Sequence, residues 1–105
     1  MEEEAFLLIV TNGKDADGFP FESLERIPVY VRERSVKRTE FYKALEVGTR
    51  LRTTFLIRWE DWELSRHLDA EGRKTYATQI ECDGEVYEII RTYRTNRGSV
   101  EVMCR

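Results

Sequence analysis

The chain has 105 residues, enough for one domain around one modest core and too few to bury a second. Charged residues make up 35% and the hydrophobic set 41%, which describes a globular chain with a wet surface, and no apolar run approaches the ~20 residues that span a bilayer as a helix. The formal net charge of −3 argues against a protein built to grip nucleic acid tightly, a task that usually takes a basic face.

Taken in chain order, the acidic start Met1-Glu2-Glu3-Glu4 lacks the basic opening of a secretory signal, so a cytosolic protein is expected. Residues 5–10 form a short apolar run that ends at the turn pair Asn12-Gly13, and a first strand is expected there. Residues 13–24 are dense in Gly, Asp and Pro and read as a loop. Residues 26–34 alternate, with Ile27, Val29 and Val31 on one side and Tyr30 and Arg32 on the other, the period of a half-buried strand. Pro28 removes one ladder donor, which places this strand at an edge.

The period changes over residues 36–47. Phe41, Ala44 and Leu45 fall at helical spacing, Ser35 can cap the first turn, and Gly48 stands where a helix stops. One helix of about three turns is expected. Residues 50–61 then read as a long strand, with Thr53, Phe55, Ile57 and Trp59 on one face. Residues 64–72 read as a connection. Residues 74–82 and 86–94 are strand-like and flank Asp83-Gly84, the preferred pair for a type I′ hairpin turn. Residues 95–99 hold Asn96 and Gly98, a second turn, and residues 100–104 close the chain as a last strand.

The fold class that follows is mainly β, with residues 1–105 as a single domain. Six short strands with one short helix inserted between them must curl to cover their apolar faces, giving a small antiparallel barrel or a sandwich.

Residues that would carry chemistry are scarce. Cys82 and Cys104 lie in strand-like stretches and read as reduced thiols packed as small hydrophobes. Two cysteines so far apart cannot make a zinc site alone, and His67, the single histidine, has no cysteine near it, so no metal is expected. Asp15-Ala16-Asp17-Gly18 has the look of a calcium loop. Setting Gly18 at the obligatory turn position, however, puts Gly13 and Leu24 at the first and last ligand positions, where oxygen donors are required. Glu60, Asp61 and Glu63 interleave with Trp59 and Trp62, but paired carboxylates need a cleft that a chain this short rarely builds. No nucleophile has a base beside it and no glycine-rich phosphate loop is present. The expectation is a protein without enzymatic activity or cofactor.

Charge is distributed in blocks. Residues 1–25 are acidic except for Lys14, residues 26–58 are rich in Arg and Lys, and Glu60, Asp61, Glu63, Asp69 and Glu71 reverse the sign again. Blocks of this kind can complement each other between subunits.

Several segments together resemble a known family. They are Asp17-Gly18-Phe19-Pro20, then Ser35-Val36-Lys37-Arg38-Thr39-Glu40-Phe41-Tyr42-Lys43-Ala44 with Gly48 after it, then Thr54-Phe55-Leu56-Ile57. They continue with residues 82–93, which contain Asp83-Gly84-Glu85-Val86-Tyr87, and with Val100-Glu101-Val102-Met103-Cys104. Over most of its length the chain resembles the head-closure, or head–tail adaptor, proteins of tailed bacteriophages and prophages of low-GC Gram-positive bacteria.

The resemblance implies a compact β-barrel that is monomeric when isolated and forms a homo-oligomeric ring in the virion neck. The ring would sit between a portal-associated adaptor protein and the tail proteins, retain packaged DNA, and let it pass without sequence-specific binding or membrane contact. Assembly would take place in the host cytoplasm. Candidates for the subunit interface or the channel are Arg34, Lys37, Arg38, Phe41, Tyr42 and Lys43. Candidates for a partner surface are Asp17, Phe19, Trp59 and Trp62. Two alternatives are a tail-completion or tail-terminator subunit and a small nucleic-acid-binding β-barrel. Purified heads against purified tails would separate the first, and gel shift the second.

Overall fold

Alternating apolar residues close into a cylinder. The computed structural model describes residues 2–34, 38–46, 48, 50–95 and 97–105, with the backbone alone for residues 39–41. Its described elements are β1 (Glu3–Lys14), β2 (Pro20–Arg34), α1 (Arg38–Glu46), β3 (Thr53–Arg58), α2 (Trp59–Glu63), β4 (His67–Leu68), β5 (Lys74–Thr75), β6 (Gln79–Cys82), β7 (Glu85–Arg94) and β8 (Ser99–Cys104). Six of the strands form a closed antiparallel barrel in the order β1-β2-β3-β8-β7-β6, and β4 and β5 form a separate two-stranded hairpin. Of the barrel and the sandwich, the barrel is the architecture present.

Every second residue of these strands points inward. Leu7, Val31, Phe55, Ile57, Ile80, Val100, Val102 and Cys104 are fully buried, joined by Ala5, Ile9, Val29 and Cys82. Each large apolar side chain removed from water contributes about 1.5–3 kcal/mol. The Phe55 ring meets Tyr87 edge-on, with centroids 5.4 Å apart. Closure comes from β1 pairing with β6, from Ala5 opposite Cys82 to Leu8 opposite Gln79. The Asp83-Gly84 turn between β6 and β7 has positive φ at both residues, 54° and 78°, as a type I′ turn requires. A shift of register between Ile89 and Arg91 bends β7 around the barrel.

Several boundaries differ from those read in the sequence, each for a local reason. The stretch 13–24 is a hairpin. The ladder of β1 and β2 runs without a break from Glu3 opposite Val31 to Lys14 opposite Pro20. Its turn is held by Asp15, whose Oδ1 accepts the N–H groups of Asp17 and Phe19, both at 2.9 Å. The Asp-Gly residues that suggested a calcium loop are the turn itself.

Pro28 stands opposite Phe6 in a stretch where β2 pairs with β1 alone, because β3 joins β2 only from Val31 to Arg34. The strand is an edge at Pro28 and an inner strand further on. The long strand expected over 50–61 stops at Arg58 and turns into α2. Glu60 and Asp61 in its first turn suit the positive end of a helix, and Trp62 becomes buried. The segment 64–72 holds β4, and residues 74–82 divide between β5 and β6. The helix is described from Arg38 to Glu46; Ser35, Val36 and Val47 lie outside the described residues.

Candidate interaction surfaces

The β1–β2 ribbon is longer than the barrel it helps to build. β6 joins β1 only as far as Leu8, and β3 joins β2 only from Val31. Residues 10–14 and 20–24, with the turn between them, therefore extend as a two-stranded arm with neither outer edge paired. At about 3.4 Å per residue, the 12-residue β1 is ~40 Å long, in keeping with molecular dimensions of 49 × 31 × 28 Å. The arm carries Phe19, Phe21 and Leu24, which are 66%, 48% and 55% exposed. Phe21 faces Gly13 across the ladder and its ring lies over the glycine, where a Cβ would stand 2.8 Å from Phe21 Cζ. Asp17 and Glu22 are also exposed on the arm, Glu22 on the face opposite Phe21.

A second surface lies on the outside of the barrel. The register aligns Arg32 with Leu56, Leu56 with Glu101, and Glu101 with Tyr93 in one row across β2, β3, β8 and β7. With Arg34, Thr95, Arg97 and Ser99 this row lines a groove of about 530 Å³. Tyr93 is 62% exposed. Among the described residues, Arg32, Arg34 and Arg97 make no ion pair. The other exposed arginines of the barrel are largely matched: Arg26 with Glu81 at 2.6 Å, Arg52 with Glu85 at 3.1 Å and Arg105 with Glu88 at 3.1 Å.

The helix α1 lies next to this face. Its Ala44 packs with Leu51 and Met103, and Met103 points outward between the inward Val102 and Cys104. Met103 stands opposite Thr54, which stands opposite Arg34. Arg38, Tyr42 and Lys43 remain exposed on the helix. Lys37 lies outside the described residues, as does the side chain of Phe41.

One end of the barrel is closed by aromatic rings. Trp62 is 4% exposed and stacks on Tyr76 at 5.2 Å and 14°. In the single chain it belongs to the buried core cluster. Trp59 is half-buried, with its ring under the Arg94 guanidinium at 3.9 Å. The Tyr76 hydroxyl donates to Glu63 Oε1 at 3.0 Å, and burial together with this carboxylate raises its pKa. Ser65, fully buried, donates to the Trp62 carbonyl at 2.9 Å and accepts the Ala77 N–H at 3.1 Å. These bonds tie α2 to the segment entering β6.

The titratable groups of the barrel are held by structure. Desolvation raises the Cys104 thiol to about 12. Desolvation, with a bond to Glu3, raises Cys82 to about 11. Neither thiol ionises near neutral pH, as expected of packed cysteines. Tyr87 donates to Glu85 Oε2 at 2.7 Å, and that bond raises the phenol to about 12 while lowering the carboxyl. The His67 ring nitrogen Nδ1 stands 2.7 Å from the Ser65 carbonyl, a local contact within the aromatic end.

The structure thus joins Asp17 and Phe19 with Phe21 and Leu24 on the arm, and Arg34 with Arg32, Tyr93 and Arg97 in the groove. It separates Trp62 from both. The groove residues Tyr93 and Arg97 and the arm residues Phe21 and Leu24 were not singled out in the sequence, although alternation places Arg32, Leu56, Glu101 and Tyr93 opposite the core-facing positions. Comparison with protein-family models and with curated proteins returned no match.

Proposed function

We propose that this chain is a structural subunit of a phage neck, a head-closure or head–tail joining protein that works by closing a ring of identical copies. The observation that carries the reading is the pairing of a closed barrel with an unpartnered arm, on a chain whose segments resemble that family from Asp17 to Cys104. A ring needs a head-to-tail contact in which one patch of a subunit meets a different patch of the next. The acidic arm and the basic groove are two such unlike patches. Closure of the barrel pairs most of its other strand edges, which limits the exposed edge available for contact.

In this reading the ring holds packaged DNA behind it and offers its outer rim to the tail. A net negative subunit suits a conduit, because each added phosphate contact would increase affinity and slow passage.

The test is removal of the gene from the phage or prophage that carries it. The expected result is heads that package DNA and then lose it, with free tails beside them. Heads that keep their DNA and carry tails would overturn the reading. A protein that binds purified tails and ignores filled heads would move it to the tail-completion position.

A further inference from the structure

We propose that the arm of one copy docks in the basic groove of the next. The arm residues are 10–24, and the groove is the one bounded by Arg32, Arg34, Tyr93 and Arg97. This deepens the ring reading above and rests on it, by naming the two surfaces that meet.

Three observations lead to a second copy as the occupant. The first is charge. Asp17 and Glu22 stand exposed on the arm, while Arg32, Arg34 and Arg97 line the groove without an ion pair among the described residues. The second is apolar surface. Phe19, Phe21 and Leu24 lie open on the arm, and Leu56 with the exposed Tyr93 forms the apolar part of the groove. An isolated two-stranded ribbon is marginally stable in water, and burying its rings against a neighbour would support it. The third is position. Arm and groove lie on different parts of one subunit, so the contact is head-to-tail and can repeat around a ring.

Nucleic acid fits the groove less well, because Glu101 stands in the middle of its row and would face a phosphate.

For the dilute protein to be monomeric, the contact between two free copies must be weak, with Kd on the order of hundreds of micromolar or above. Ring closure then strengthens it, because each neighbour is held at high effective concentration.

The experiment uses the full chain and two charge-reversed variants. One carries Asp17→Lys and Glu22→Lys on the arm; the other carries Arg34→Glu and Arg97→Glu in the groove. All four positions are exposed, so unchanged circular dichroism and thermal unfolding are expected. Sedimentation equilibrium is run up to about 1 mM at low salt. The unaltered chain should self-associate and dissociate as salt is added. Each variant alone should associate at least about tenfold more weakly. An equimolar mixture should recover association, because each reversed arm then meets a reversed groove and each native arm a native groove.

A chain that stays monomeric throughout would overturn the proposal, as would a mixture no better than its parts. A duplex DNA gel shift lost in the groove variant, with self-association unchanged, would make nucleic acid the occupant instead. Filled heads separate the two readings. If either variant alone seats on heads as well as the native chain does, the docking fails and the neck function stands. If the mixture rescues association while the native chain ignores heads, the docking stands and the neck function fails.

Discussion

The barrel body and the arm are built from the same two strands and behave as opposites. Below Ile9, β1 and β2 have partners on both sides or an inward face of buried side chains; Ala5 and Leu7 are fully buried. Above it the same ladder continues with neither edge paired, and Phe19, Phe21 and Leu24 lie open to water. The β1–β2 ladder is therefore continuous through both regions, and what separates them is the outer-edge pairing and the burial of side chains. The Asp15 turn carries the ladder past the end of its core, and the docking proposed above would cover the rings left open there.

The largest effect that would sharpen this contrast is expected at the aromatic end. Trp62→Ala removes a core ring and its stack on Tyr76, and should cost about 3–5 kcal/mol in denaturant unfolding. A loss below about 1 kcal/mol would mean that α2 is not part of the cooperative body. Ser65→Ala comes next. It leaves the buried Ala77 N–H without its acceptor and should cost about 1–3 kcal/mol by the same measurement.

Alkaline titration should also report on the body. Cys82, Cys104 and Tyr87 hold their protons more tightly when folded, with pKa values of about 11, 12 and 12 against ordinary values of 9.0, 9.0 and 10.0. Above pH ~9 the unfolded chain binds fewer protons than the folded one, so stability should fall from there as pH rises toward 12. The thiols should resist a thiol reagent at pH 7 until the chain unfolds. Rapid labelling of the folded chain at neutral pH would contradict their burial. The smallest effect belongs to the arm. Phe19→Ala and Leu24→Ala should each change stability by no more than about 0.5 kcal/mol, because neither side chain is covered in the single chain.

Legibility followed the same division. Alternation at Ile27, Val29 and Val31 and at Val100 and Val102 revealed the strands of the body, and Asp83-Gly84 revealed their tightest turn, because each signal is local. The hairpin arm was hidden because residues 13–24 have the composition of a loop, and the ladder across them depends on pairing. One local signal was present and overlooked. Asp15-Ala16-Asp17-Gly18 and Asp69-Ala70-Glu71-Gly72 are nearly the same tetrad. In both, the aspartate Oδ1 accepts the N–H groups two and four residues on, all at 2.9 Å. Reading them as one turn motif would have located the β1–β2 and β4–β5 hairpins together.

Trp59-Glu60-Asp61-Trp62 was misread for a different reason. Alternation from Phe55 to Trp59 runs straight into it, while the acidic first turn and the burial of Trp62 favour a helix. The groove needed register as well as alternation, since Arg32 and Tyr93 meet through two intervening strands.

Native-state amide hydrogen exchange, followed residue by residue in dilute and then in concentrated protein, tests the central claim most directly. The account predicts fast exchange over residues 10–14 and 20–24 in the dilute chain, slow exchange in β3 and β8, and protection of the arm once copies meet. An arm as protected as the barrel in the dilute chain, or one that stays unprotected in the assembled state, would contradict it.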